Sequence, residues 1–267
     1  MRVFEPFLDL FISLGDDLLK MQSPSVLKVQ QKDDGSPVSS ADLLSHQVIC
    51  NALESLGGGL PVISEEGVLL PQEERASWDR YWVLDPLDGT RDYIAGSDNF
   101  AICLARIQNG VPDIGMIYSP AKNLGYFVAP DQEVWVWQSG EWTALTPIDR
   151  RLEDPYTIIS NFSYSKPRLM TFLSELEQSK WGRSKSIDHV SMSSALKFGE
   201  IACGRATLYP KLGPIMQWDI AAGYAILCAL NLPFVNLDGS SLTFSAGQLK
   251  QHGFFAGDDD SCLLRLL

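Results

Sequence analysis

Residues 82–90 read Trp-Val-Leu-Asp-Pro-Leu-Asp-Gly-Thr. With Tyr81 in front, the first three have the apolar and aromatic character of a buried strand over 81–84. The run then breaks into two carboxylates, a proline and a glycine. A solvated turn accounts for that by itself, because Asp, Pro and Gly each favour turns. Whether the stretch is a turn or a site depends on whether other acids stand in the same relation to other elements.

They do. Glu65-Glu66 follows the short strand-like run Pro61–Ser64, and Asp219 opens the apolar segment Trp218–Gly223. Taken singly, a Glu-Glu pair is an ordinary solvated pair, and an Asp at a helix start is an ordinary cap. Taken together, three sets of carboxylates at element ends suit a hard cation such as Mg²⁺, which prefers oxygen ligands. A tight turn at Pro86-Leu87 would aim Asp85, Asp88 and the Leu87 carbonyl at one point. Gly89 permits close backbone approach, and the Gly89 and Thr90 amides would take a phosphate if a helix starts there. His46, His189 and His252 have no ligand spacing, which sets zinc aside.

The bulk composition narrows the partners. The chain has 267 residues, 45% hydrophobic and 20% charged, which suits one large globular domain or two intimate halves. A net charge of −12 argues against a groove that tracks duplex nucleic acid, but a small anion can bind where metal ions or a basic pocket reverse the sign. Cys50, Cys103, Cys203, Cys228 and Cys262 are scattered with no Cys-x-x-Cys pair, mostly in apolar surroundings, as expected for reduced thiols. The first twenty residues are apolar but carry Glu5, Asp9, Asp16 and Asp17, which neither a signal peptide nor a membrane span accommodates. The expectation is a cytoplasmic protein without a transmembrane segment.

Phe4, Phe7, Leu8, Phe11, Leu14 and Leu18 recur at helical spacing and predict a helix over 3–21. The polar stretch before Asp42 reads as a hairpin or loop. Ser39 or Ser40 would cap a second helix with Leu44, Val48, Ile49, Ala52 and Leu56 inward, stopped by Gly57-Gly58-Gly59. Residues 99–110 and 114–120 read as paired strands turning at Asn109-Gly110, and 125–130 and 133–142 extend that sheet. The segment Thr146–Pro155, rich in proline and charge, is the boundary candidate, dividing an N-terminal half (1–150) with most of the acids from a C-terminal half (151–267) with Asp219. That second half alternates strand at 156–161, helix at 167–179, helix at 193–204, strand at 205–210, helix at 218–231 and strand at 253–257. Strands and helices mix without a strict βαβ rhythm, so layered sheets and helices are expected.

In order and spacing, Glu65-Glu66, Asp85-Pro86-Leu87-Asp88-Gly89-Thr90 and Trp218–Gly223 resemble the signatures of the inositol monophosphatase superfamily. The resemblance runs nearly the whole chain. It implies the αβαβα layered fold shared with fructose-1,6-bisphosphatase, and a Mg²⁺-dependent, lithium-sensitive phosphatase. Within the superfamily the likeness is nearest to the bacterial 3′(2′),5′-bisphosphate nucleotidases, through residues 34–42, 80–94, 193–198 and above all Leu208-Tyr209-Pro210. It implies hydrolysis of adenosine 3′,5′-bisphosphate to AMP and phosphate, clearing a by-product of sulfur assimilation. The alternative is an inositol monophosphatase or other small sugar-phosphate phosphatase of the same superfamily, and the rival of another class is a catalytically silent binding protein on the same scaffold.

The implied roles transfer by position. Glu65, Asp85 and the Leu87 carbonyl would bind one Mg²⁺, and Asp85, Asp88 and Asp219 a second, with Glu65 helping to hold a third. Asp42 and Thr90, with Glu65, would activate water. The substrate side would comprise Glu65, Leu87, Asp88, Gly89, Thr90, Ser194, Lys197, Tyr209, Lys211 and Asp219. The partner is then a small phosphorylated metabolite. A homodimer and peripheral association with the inner membrane are both compatible with the resemblance. The chain departs from the nucleotidase pattern at Ile215 and Ile220, each a Thr there, and at Lys211, where the usual Arg offers a bidentate contact that Lys cannot reproduce.

Overall fold

The computed structural model describes residues 4–130, 133–146, 156–161, 166–178 and 186–257. The chain opens with helix α1 (Glu5–Met21), followed by a hairpin of β1 (Val29–Gln31) and β2 (Pro37–Ser39) and by helix α2 (Ser40–Leu56). A seven-stranded sheet then forms in nearly sequential order from β3 (Val62–Ser64), β4 (Arg80–Asp88), β5 (Ala101–Gln108), β6 (Val111–Ser119), β7 (Leu124–Val128), β8 (Val134–Gln138) and β9 (Glu141–Leu145). Two short helices, α3 (Gln72–Arg75) and α4 (Thr90–Ile94), flank β4. Asn109 and Gly110, both at positive φ (51° and 79°), make the β5–β6 turn, as their sequence predicts.

The rest of the chain builds a second sheet in the order β11-β10-β12-β16-β14, from β10 (Tyr156–Ser160), β11 (Ile187–Ser191), β12 (Leu208–Lys211), β14 (Phe234–Asn236) and β16 (Phe254–Gly257). Its helices are α5 (Lys166–Gln178), α6 (Leu196–Ala202) and α7 (Gln217–Ala229), and a small ribbon pairs β13 (Ile215–Met216) with β15 (Lys250–Gln251). Of the expected boundary Thr146–Pro155, residues 147–155 lie outside the described residues.

Strand alternation divides the core into three clusters and so sets the layers. Trp82, Leu84, Ile102 and Leu104 face α1 and α2. Their neighbours Tyr81, Val83, Cys103 and Ala105 face the opposite way, onto Phe198 of α6 and Ile220, Ala221 and Ile226 of α7. The far side of those helices meets Tyr209, Phe234, Phe254 and Ala256 of the second sheet, whose other face packs Ile158 and Phe255 on Phe172 and Leu176 of α5. The sequence of layers is αβαβα. The Leu, Ile, Val and Phe side chains among these each contribute about 1.5–3 kcal/mol when fully buried. Gly115 lets α7 press on the sheet, because a Cβ there would stand 2.6 Å from the Ala222 carbonyl.

Three expectations are corrected. The buried face of α2 is Ala41, Ser45, Ile49 and Leu53, while Leu56 is 43% exposed. Packing against β4 follows the i, i+4 row beginning at Ala41, which passes through Leu53 and leaves Leu56 outside. Strand β4 also does not end at residue 84. It continues to Asp88 with a register shift between Asp85 and Asp88, so Asp85 lies inside the strand and Asp88 ends it. Pro86 supplies no N–H to the ladder, and a bulge accommodates it without ending the pairing. Cys228 is exposed rather than enclosed by apolar residues, and Cys262 lies outside the described residues. No helix among the described residues is long and apolar enough to cross a membrane.

Candidate active site

The bulge in β4 is the centre of the site. Asp85, only 2% exposed, turns its carboxylate back to accept the Leu87 N–H at 3.0 Å. The buried Ser45 hydroxyl of α2 donates to the Pro86 carbonyl at 2.6 Å and clamps the bulge from behind. Gly89 follows at φ +98°, where a Cβ would lie 2.7 Å from the Asn99 carbonyl, so a side chain is excluded by both conformation and space. Helix α4 begins directly after it at Thr90, so the early amides have no partner one turn back, which is the condition set for phosphate binding above.

Three of the expected ligands converge. Glu65, Asp85 and Asp219 each offer a carboxylate oxygen within 4.8 Å of one another. Glu65 stands just past β3, its N–H bonded to the Leu84 carbonyl at 3.1 Å. Asp219 is the third residue of α7, and one oxygen accepts the Met216 N–H at 3.1 Å. It thus works as a helix-start acid and as a cluster member at once. Asp88 stands outside that trio and accepts the Ala195 N–H. The Leu87 carbonyl lies 3.2 Å from the Thr90 hydroxyl oxygen, whose single proton has a nearer acceptor in Asp42 Oδ1 at 2.8 Å.

The electrostatics are those of an under-compensated anionic nest. Burial, reinforced by Glu65, Asp88 and Asp219, holds the Asp85 carboxyl well above the ordinary carboxylate range. Burial with Asp88 and Glu65 pushes Asp219 up to about 8. Asp88 rises to about 6, burial outweighing the opposing Lys197 charge and the Ala195 N–H. Buried, oxygen-only and mutually repelling, this donor set fits a hard divalent cation. One protein cation already leans on its edge. Lys32, from the turn of the β1–β2 hairpin, bonds Glu65 at 2.8 Å and Glu66 at 2.6 Å.

Asp42 and Thr90, 48 residues apart, meet at 2.8 Å, the Thr90 hydroxyl donating to Asp42 Oδ1. The other oxygen, Oδ2, accepts the Ser39 N–H (2.8 Å) and hydroxyl (2.6 Å) in the capping box that starts α2. One oxygen of Asp42 therefore serves the helix start and the other meets Thr90.

Beside the acids lies a cavity of about 400 Å³. Asp88 and Asp219 form one wall, and Ser194, Lys197, Tyr209 and Lys211 another. Lys197 is buried on α6, bonds the Ser194 carbonyl and sits 5.0 Å from the Tyr209 ring centroid. Burial lowers its ammonium to about 8 against the pull of Asp88, and burial likewise lowers Lys211. The Tyr209 hydroxyl bonds Asn161 at 3.3 Å. Sequence reading missed Lys32 and Asn161. Asn161 ends a strand-like run just as the acids do and was open to the same argument, whereas Lys32 sits in a polar turn with no pattern to mark it. His46 bonds Ser64 and His189 bonds Ser160, and neither joins the acid trio.

The family model for the inositol monophosphatase family matches residues 12–256. The chain belongs to the inositol monophosphatase family. This family member is 33% identical over 232 residues to a Salmonella typhimurium protein named 3′(2′),5′-bisphosphate nucleotidase CysQ, covering 86% of this chain and 89% of that one. The Escherichia coli K12 protein of the same name is also 33% identical, over 234 residues, with the same coverage of both chains. Among solved structures, CysQ from Bacteroides thetaiotaomicron superposes with a TM-score of 0.79 at 25% identity, covering 96% of this chain and 98% of that one. The layered fold expected from sequence is that of the family, and the protein is an enzyme, a phosphatase.

Proposed function

We propose that the protein is a Mg²⁺-dependent 3′(2′),5′-bisphosphate nucleotidase that removes the 3′-phosphate of adenosine 3′,5′-bisphosphate, giving AMP and phosphate. The observation that carries the reading is the common cavity. Two of the acids and the Ser194, Lys197, Tyr209 and Lys211 set border one space, so an ester at the acids leaves the rest of its ligand against ammonium and aromatic groups. A monophosphorylated cyclitol has no second anion for that wall. The names of the bacterial relatives support the same substrate class.

Glu65, Asp85, the Leu87 carbonyl, Asp88 and Asp219 would hold two Mg²⁺ ions, with a third near Glu65. Bound there, the ions would neutralise phosphate charge and raise the acidity of water. The chain's own part is positional. With its proton on Asp42, the Thr90 hydroxyl has lone pairs free to accept from an attacking water and fix its direction. The Gly89 and Thr90 amides would steady the phosphoryl oxygens. Tyr209 and Lys211 would seat the nucleoside and its remaining phosphate.

The test is phosphate release from adenosine 3′,5′-bisphosphate, inositol 1-phosphate and fructose 1,6-bisphosphate, each with and without Mg²⁺. The expected result is the highest kcat/KM for the first, and only with the ion. Preference for inositol 1-phosphate would move the assignment to an inositol monophosphatase. Release from none of the three would favour a silent scaffold.

A further inference from the structure

Lys197 and Lys211 have a neighbour in the cavity wall that no role above uses. Lys250, on β15, borders the same space. It stands in register opposite Met216 of β13, whose N–H donates to Asp219. The Leu249 carbonyl beside it accepts the Gln217 N–H at 2.8 Å. The fully buried Gln217 side chain also donates to the Ser245 and Gln248 carbonyls, at 3.2 and 2.7 Å. The backbone of Lys250 is thereby bolted to the first turn of α7, the element that carries Asp219, while its side chain is exposed.

The three lysines form a gradient of depth. Lys197 is buried, Lys211 half-buried and Lys250 exposed. No carboxylate of the described residues pairs with the Lys250 ammonium within 4.0 Å. Asp34, which reaches the cavity from the β1–β2 turn, is held by the Ser36 N–H and hydroxyl at 2.9 and 2.6 Å. A cation on a strand tied to the start of α7, bordering the cavity and with no ion-pair partner among the described residues, is placed to receive an anion from outside.

We propose that Lys250 is a specificity-determining residue that holds the phosphate remote from the one cleaved, and so separates bisphosphorylated from monophosphorylated nucleosides. The proposal rests on the nucleotidase reading. An exposed ammonium at the cavity mouth strengthens ligand binding without touching the reacting atoms, so its effect falls on KM and not on kcat.

The experiment compares wild type, K250M and K250R on adenosine 3′,5′-bisphosphate and adenosine 3′-monophosphate at low and high salt. Expected for K250M is a roughly five- to tenfold rise in KM for the bisphosphate, with kcat unchanged. KM for the monophosphate should stay within about twofold, which also reports that the variant is folded. K250R should recover the bisphosphate KM. Added salt should weaken bisphosphate binding in wild type more than in K250M. A wild type that prefers the bisphosphate, with K250M equally selective, overturns the role of Lys250 and leaves the nucleotidase reading standing. A wild type with no preference for the bisphosphate removes both.

Discussion

The acid cluster and the lysine wall of the cavity beside it are built on different principles. The acids are fixed by main chain. Asp85 and Asp88 belong to one strand on either side of a bulge, Glu65 sits just past the end of its parallel neighbour, and Asp219 is bonded into a helix start. Lys211 closes the central strand of the second sheet, Lys197 lies on a seven-residue helix and Lys250 on a two-residue ribbon strand, and their exposure runs from buried to open. A cation site tolerates little displacement of its ligands, so a strand interior suits it. Recognition of a ligand's distal charge tolerates more, and side chains of long reach can be exchanged there without disturbing the sheet. The departures from the nucleotidase pattern at Lys211 and Ile215 both fall on this second wall.

The comparison can be broken by mutation, beginning on the acid wall. Asp88→Asn should lower kcat by about 10³-fold while far-ultraviolet circular dichroism stays native, since the fold does not depend on that charge. Activity near wild type would detach Asp88 from the chemistry. Thr90→Val, nearly isosteric, should cost about 10²-fold in kcat through loss of the hydroxyl that meets Asp42, with KM little changed. On the other wall, Lys197→Met should act mainly on binding, raising KM for adenosine 3′,5′-bisphosphate by about tenfold. Because burial lowers the Lys197 ammonium to about 8, wild-type KM should also climb as pH passes that value, and the climb should be shallower in the variant. A kcat effect as large as that of Asp88→Asn would erase the distinction between the walls.

The smallest effect is thermodynamic. Asp219 titrates near 3.8 when ordinary and at about 8 in the ion-free fold, so the folded chain binds the extra proton between those values. Ion-free stability therefore falls as pH rises through that interval, and Mg²⁺ must displace protons to bind at its lower end. The rise in Tm on adding Mg²⁺ should be larger at about pH 8 than at about pH 5.5, by a few degrees. Asp219→Asn should flatten the difference.

The acid wall was legible from sequence because its residues are unusual where they stand: carboxylates at the ends of apolar runs, next to proline and glycine. The α1 face and the Asn109-Gly110 hairpin were legible for similar local reasons. What stayed hidden depends on contacts between distant segments. The order of the second sheet joins strands 50 residues apart through short ladders, such as the single Ile158–Leu208 pair. The bulge that keeps Asp88 inside β4 is decided by its partner strand. Lys32 and Lys250 lie in polar stretches, and only the folding of a hairpin and a ribbon brings the first to Glu65 and Glu66 and the second to the cavity.

The divided carboxylate of Asp42 has a consequence for how this protein tolerates change. One oxygen secures the start of α2 and the other accepts from Thr90, so under the proposed mechanism foldability and turnover draw on the same side chain. A library screened only for soluble expression would already reject most replacements at this position, and so would preserve part of the catalytic apparatus without ever assaying it.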